Sequence, residues 1–223
     1  MAPEGANTIM YHFICRGWNC EKYEQKCVES INNQTVKDTM VWKIIDGKPD
    51  RLGVCYNMYH GIHWCNAQDE DVLCFLDLDD YLLSPVSLEF VDRAYRKHPN
   101  TLVTYGSYIN SETGHRGKNC LPYPEGVRPR EYKWRASHLK TMKYKVAKNI
   151  PEEYFMNGHR WGLAASDLAL MFSAMEIAGM ENCRFIKEPV YYYRANTPYT
   201  CNRGTQKKWN KIFRAKKPLK RLF

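Results

Sequence analysis

An apolar run that ends abruptly in carboxylates leaves this chain the least freedom in what it can fold into. The stretch is Asp71-Val72-Leu73-Cys74-Phe75-Leu76-Asp77-Leu78-Asp79-Asp80. Val72 to Leu76 is continuously apolar, the pattern of a strand covered on both faces in a parallel or mixed sheet. Asp77, Asp79 and Asp80 stand where that strand stops. Side chains alternate along a strand, so Asp77 and Asp79 project to one side. Two carboxylates so placed repel one another unless a cation lies between them. Hard oxygen ligands suit Mg²⁺ or Mn²⁺, which usually complete their shell with substrate phosphates. Read alone, an Asp-x-Asp is equally a solvated turn capping the next helix. The apolar strand leading into it favours the ligand reading.

The 223 residues, 44% of them hydrophobic, suffice for one sizeable domain or two lobes sharing a sheet. No apolar run reaches the roughly 18 residues of a transmembrane helix. Met1 to Asn7 lacks a basic region followed by an apolar core, so it reads as a leader rather than a secretory signal. The nine cysteines are irregularly spaced, without a Cys-x-x-Cys pair, and several sit in apolar runs. That argues for reduced, cytosol-facing thiols and a cytoplasmic protein. His60 and His63 lie one helical turn apart but have no carboxylate at matching spacing. The net charge of +9 is localised: Arg203 to Phe223 holds nine Lys or Arg and no acid, and the 24 bases elsewhere balance the 24 acids. The body therefore does not read as a nucleic-acid-binding surface.

Taken in order, Thr8 to Cys15 predicts a strand and Arg16-Gly17-Trp18-Asn19 a turn. Cys20 to Gln34 is an amphipathic helix with Cys20, Tyr23, Cys27 and Ile31 on one face. Met40 to Ile45 is a second strand, closed by Asp46-Gly47-Lys48-Pro49-Asp50. A second helix follows, burying Leu52, Cys55, Tyr56, Tyr59 and Ile62. After the Asp-rich strand, Ser84-Pro85 starts a helix that runs to about Lys97. Thr101 to Ile109 is another strand. Such alternation means α/β with a mostly parallel sheet, whose ligands bind beyond the carboxyl ends of the strands. Arg16 to Asn19, Asp46 to Asp50 and Asp77 to Asp80 all fall at those ends. Neither a Gly-x-Gly-x-x-Gly nor a P-loop lysine is present. Residues 110–131 read as a long polar loop, and 132–149 as basic and partly helical. Ser166 to Ala178 is a helix stopped by Gly179, with Leu168, Met171, Phe172, Met175 and Ala178 on one face. Cys183 to Tyr193 is a strand or a pair of short ones.

The pieces now on the page resemble the family-2-like glycosyltransferases of the GT-A (nucleotide-diphospho-sugar transferase) fold, over about Ile9 to Thr200 and in the family's order. Residues 16–23 and 27–35 resemble its opening loop and first helix. Ile45-Asp46-Gly47-Lys48-Pro49-Asp50 resembles its Asp-Asp-Gly-Ser-x-Asp segment, with one Asp missing. Phe75-Leu76-Asp77-Leu78-Asp79-Asp80 matches its Asp-x-Asp motif. Ser166-Asp167-Leu168 resembles its later Glu-Asp segment, with Ser in place of Glu, and Tyr191-Tyr192-Tyr193-Arg194 resembles the segment that closes the domain. The similarity is strongest to chlorella-virus-encoded members, which implies a protein of the host cytoplasm.

The resemblance implies a central, mostly parallel mixed sheet flanked by helices. It implies a nucleotide-binding half at 9–80, an acceptor half at 81–202, and a tail or linker at 203–223 after a leader at 1–8. It implies a metal-dependent, inverting hexosyltransferase that moves a glucose- or rhamnose-type sugar from a UDP-sugar to a glycan or glycoprotein acceptor. Mn²⁺ or Mg²⁺ would sit on Asp79 first, with Asp77 binding it through water or holding the ribose, and Asp80 as third candidate. Asp46 would accept from the uracil N–H, and Arg16 and Arg194 would face the donor; Arg203 or Lys207 could join them if the tail folds back. Asp167 would be the base on the acceptor hydroxyl, kept ionised by the dipole of the helix it opens. Trp161, His159, His138 and Trp134 fall where the family binds acceptors. The basic tail, with Lys207-Lys208-Trp209 and Ile212-Phe213, reads as a surface for an anionic membrane or as a linker to a further domain. Rival readings are a nucleotidyltransferase that makes sugar nucleotides, which normally carries a longer Gly-rich basic loop after the first strand, and a non-catalytic sugar-binding module.

Overall fold

The computed structural model describes residues 8–46, 52–195, 197 and 202–223. Gly47 to Asp50, of the second strand-end loop, lies outside them. Strand β1 (Tyr11–Gly17) leads into α1 (Glu21–Asn32), and β2 (Thr39–Ile45) leads into α2 (Val54–Trp64). β3 (Val72–Asp77) and the short β4 (Tyr81–Leu82) precede α3 (Ser87–Lys97) and β5 (Val103–Asn110). Then come β6 (Lys140–Lys143), α4 (Tyr144–Ala147), the hairpin β7 (Met156–Asn157) with β8 (Arg160–Trp161), α5 (Ser166–Ala178), β9 (Cys183–Tyr193) and α6 (Arg203–Arg214).

Seven strands form one sheet in the order β2-β1-β3-β6-β5-β9-β4. β1 runs parallel to β2 and β3, and β5 parallel to β9; β6 and β4 are antiparallel to their neighbours. The register sets Gly17 beside Ile45 and Arg16 beside Asp77, which brings three strand ends to one edge. The alternation along β1 explains the two cores. Tyr11, Phe13 and Cys15 pack with Cys27, Ile31, Leu88 and Val91 on one face of the sheet. Ile14 packs with Phe75, Met58, Ile62 and α5 on the other. Arg16 and Asp77 continue this second face, so their side chains turn toward α5.

Two elements differ from expectation. The 132–149 stretch supplies β6, a central strand joining β3 to β5, followed by only one helical turn. Helix α5 is not amphipathic: Leu168 to Met175, Ile177 and Ala178 are all buried. A helix that is apolar on every side needs cover on every side. The cover comes from the 203–223 segment. That segment is docked on the body: Trp209 and Phe213 of α6 join the core around α5. Arg214 Nη1 donates to the carbonyls of Arg130 (2.6 Å) and Tyr132 (2.9 Å), and Leu222 N–H to Ile177 O at 2.9 Å. The Asn202 side chain caps α6 by accepting from the Gly204 and Thr205 amides. The eight cysteines described are all free and buried.

Candidate active site

A cavity of about 230 Å³ opens at the carboxyl edge where β1, β2 and β3 end. Arg16, Gly17 and Trp18 from β1 and its turn, Asp46 after β2, and Asp77 and Asp79 after β3 line it. Ser166 and Asp167 of α5 and Gln206 of α6 complete it. Gly17 is required by closeness: a Cβ there would stand 2.8 Å from Leu78 Cβ. Ala165, just before α5, has φ 57° and ψ 28°, a left-handed conformation that costs an Ala residue roughly 1–2 kcal/mol. That turn delivers Ser166 and Asp167 to the cavity wall.

Arg16 organises the floor. Its Nη2 donates to Asp77 Oδ1 at 2.6 Å and its Nη1 to Ser166 Oγ at 3.1 Å, while its Nε is buried with no hydrogen-bond partner. Burial works against its charge, but Asp77 and then Asp167 more than restore it, and its pKa lies above the usual arginine range. Asp79 sits under a different balance. Burial and then the charge of Asp77 push its carboxyl up, against a 3.1 Å hydrogen bond donated by Thr197 Oγ1. A carboxylate whose pKa is raised by a second carboxylate at a strand end fits a divalent cation, whose charge would relieve that repulsion. Among the described residues no cluster of three or more His, Cys, Asp or Glu side chains is placed to hold a metal. A cation here would therefore draw its remaining ligands from substrate and water.

Asp80 is not among the residues that line the cavity. It is 2% exposed; its Oδ2 accepts from Tyr191 OH at 2.7 Å and its Oδ1 from Arg194 N–H at 2.6 Å. Burial, followed by Asp79 and Asp77, drives its carboxyl pKa far up. Tyr191 OH also accepts from the Asp77 amide at 3.3 Å, so Asp80 and Tyr191 brace the Asp-x-Asp turn from behind. Arg194 braces it too. Its Nε donates to Asp79 O at 2.8 Å and its guanidinium lies 4.3 Å from the Tyr23 ring centre, outside the cavity wall. Asp46 does line the cavity, 6% exposed, and its Oδ1 accepts from the Leu52 amide at 3.1 Å.

Asp167 faces the cavity with 30% of its side chain exposed, and its Oδ1 lies 3.1 Å from Lys140 Nζ. A buried ammonium thus adds to whatever the helix dipole contributes there. Burial pushes its carboxyl up, but Lys140 and the other positive groups around it outweigh burial and hold it at about 2. His138 contacts Lys140, is 8% exposed and stacks on Tyr191 with centroids 4.5 Å apart. Burial, then Lys140, pushes its imidazole down to about 4. Trp134 packs edge-on against Phe172 at 5.6 Å, as a core tryptophan does. His159 is exposed in the β7–β8 hairpin. Trp161 is half-buried against Tyr56 (5.2 Å) and His60 (5.7 Å), two residues from Leu163 of the cavity wall. His60 meets Tyr59 edge-on at 5.4 Å, and His63 lies tilted against it at 4.4 Å. Sequence reasoning missed Trp18, Asn57, Lys140, Ser166 as a partner of Arg16, and Gln206. For Gln206 alone there was a signal, the helical spacing of Trp209 and Phe213.

No protein-family model matches the sequence, and no curated protein matches it. Its architecture is that of solved structures. It is similar to S. aureus TarS, residues 1–349, in complex with UDP, at TM-score 0.60 and 14% identity over 84% of this chain. It is similar to the same protein in complex with UDP-GlcNAc, at TM-score 0.58 and 12% identity over 85% of this chain. It also resembles mannosyl-3-phosphoglycerate synthase from Rubrobacter xylanophilus, at TM-score 0.52 and 10% identity over 85% of this chain and 68% of that one. The chain has the GT-A fold. It spans 37% of the longer TarS structure and about 60% of the 1–349 structures.

Proposed function

We propose that this chain is a metal-dependent, inverting glycosyltransferase that moves a glucose- or rhamnose-type sugar from a UDP-sugar to a glycan acceptor. One observation carries the reading: a single cavity at the strand ends holds Asp77 and Asp79 from β3 together with Asp167 from α5. Similarity to structures that contain UDP and UDP-GlcNAc supports it. Asp79 and Asp77 would hold Mn²⁺ or Mg²⁺, Asp77 with the oxygen that Arg16 leaves open. When bound, such a cation supplies Lewis-acid neutralisation of the departing diphosphate. Arg16 adds a fixed positive charge at the floor. Asp46 is assigned to the uracil N–H, and Trp18 adds an aromatic side chain to the same cavity wall.

Asp167 takes the proton of the acceptor hydroxyl as its oxygen attacks the anomeric carbon. A base that directs attack opposite the leaving group inverts that centre. Trp161, with Tyr56 and His60, offers ring faces for the acceptor. The test is a panel of nucleotide sugars with Mn²⁺, scoring nucleotide release with and without glycan acceptors. UDP-sugars should release UDP, faster when acceptor is present. Release of pyrophosphate from a nucleoside triphosphate and a sugar phosphate would instead identify a nucleotidyltransferase and overturn the reading.

A further inference from the structure

Among the described residues Lys140 is the most deeply buried cation, 1% exposed, in the middle of the sheet. An ammonium removed from water costs several kcal/mol unless paired and hydrogen-bonded. Lys140 has two partners. Asp167 Oδ1 lies 3.1 Å from its Nζ, and His138 Nδ1 lies 2.8 Å from it on the other side. His138 is itself clamped between the rings of Tyr191 (4.5 Å) and Tyr193 (5.5 Å). The groups that act on Asp167 come from several elements: Arg16 from β1, Cys55 from α2, Tyr193 from β9, and His138 and Lys140. Of these only Lys140 is a cation in direct contact with it.

We propose that Lys140 is a positioning residue for the transfer step: braced by His138, its ammonium fixes Asp167 toward the cavity and keeps it ionised between turnovers. This rests on the reading of Asp167 as the base. In the step itself the acceptor O–H bond breaks and its electron pair forms the new bond to the anomeric carbon. The bond from that carbon to diphosphate oxygen breaks with its pair leaving on the diphosphate. The proton passes to Asp167, while Lys140 keeps its own. A neutral carboxyl beside a buried ammonium then sheds its proton to water, which resets the site. The arrangement weakens Asp167 as a base and in return leaves it ionised and ready before each transfer.

Lys140→Met, close in volume, tests the role. The expected result is a fall in kcat of about 100-fold with the donor KM unchanged, of the size that general-base effects reach. The acid limb of the pH profile should move up by about one to three units, as expected when a carboxylate loses an adjacent cation. Carbon-13 titration of the Asp167 carboxyl, assigned with Asp167→Asn, reads the ion pair without any sugar transfer and should show the same upward shift. If Lys140→Met does not fold, the Lys140 Nζ signal in wild type and in Asp167→Asn gives the same information. Loss of the carboxylate should lower the pKa of that ammonium. Transfer with an unmoved pH profile, or an Asp167 titration unchanged by the lysine, would overturn the proposal and leave the function intact. A protein that shows the ion pair but transfers no sugar would overturn the function instead.

Discussion

Asp79 and Asp167 face one cavity, but Asp79 stands beside another carboxylate whereas Asp167 lies against an ammonium. At Asp79, burial and Asp77 both oppose ionisation. Of the cations nearby, Arg16 is already joined to Asp77 at 2.6 Å, and Arg194, engaged by the Asp79 carbonyl, only partly offsets the two. At Asp167, burial is outweighed and the carboxyl is held at about 2. The first site is short of positive charge and suits an incoming cation. The second is balanced from within, which suits a group that must stay ionised with no help from the ligand. One fold thus gives two carboxylates opposite electrostatic settings by giving them different neighbours.

The largest effect that tests this contrast is expected at the first site. Asp79→Ala should abolish Mn²⁺-stimulated hydrolysis of a UDP-sugar, read as UDP release; undiminished stimulation would remove Asp79 from the cation site. At the second site, Asp167→Asn should keep UDP binding and lose transfer by about 10²–10⁴-fold, the usual weight of a general base. Unchanged transfer would end that assignment. The same variant has a stability signature. The folded pKa of Asp167 is depressed, so its ionised form stabilises the fold above the ordinary value of 3.8, and this contribution fades as pH falls through about 2. The stability gap between wild type and Asp167→Asn, measured by urea titration, should therefore narrow over that interval. A gap that widens toward acid would contradict the ion pair.

Helix α6 sharpens the comparison from a distance. Phe213 is fully buried beneath α5, so Phe213→Ala should cost about 3–5 kcal/mol in urea unfolding. It should also disturb Asp167, which α5 carries, more than Asp79, which β3 carries. Equal losses of transfer and of metal-stimulated hydrolysis would mean the two sites are not separately supported. The smallest effect is expected on the outer face of α6, where Lys207, Lys208 and Lys211 are exposed. Co-sedimentation with anionic vesicles should weaken about fivefold for each lysine replaced by Ala. Equal binding by the triple variant would end the membrane reading of this face.

The wall formed by the strand ends was readable from residues alone because local pattern decides it. Val72 to Leu76 is apolar without a break, and β3 runs to Asp77 as that run implies. The floor was not readable, because long-range pairing decides it. Lys140-Thr141-Met142-Lys143 looks like part of a basic helical stretch until β3 and β5 take it between them. Only then is Lys140 carried beside Asp167. The spacing of Trp209, Ile212 and Phe213 marks an apolar helix face, but that spacing cannot say whether a bilayer or a protein core covers it. The uniformly apolar α5 was the missing clue, since it needs a second cover. The burial of Asp80 was hidden for a similar reason: its partner Tyr191 lies 111 residues away.

Calorimetric titration of the full chain with UDP, with and without Mn²⁺, tests most directly whether the cavity holds a nucleotide through a cation. UDP should bind in the presence of Mn²⁺, bind far more weakly without it, and lose the difference in Asp79→Ala. UDP binding of equal strength with and without Mn²⁺, or a Mn²⁺ effect that survives in Asp79→Ala, would contradict the site described above.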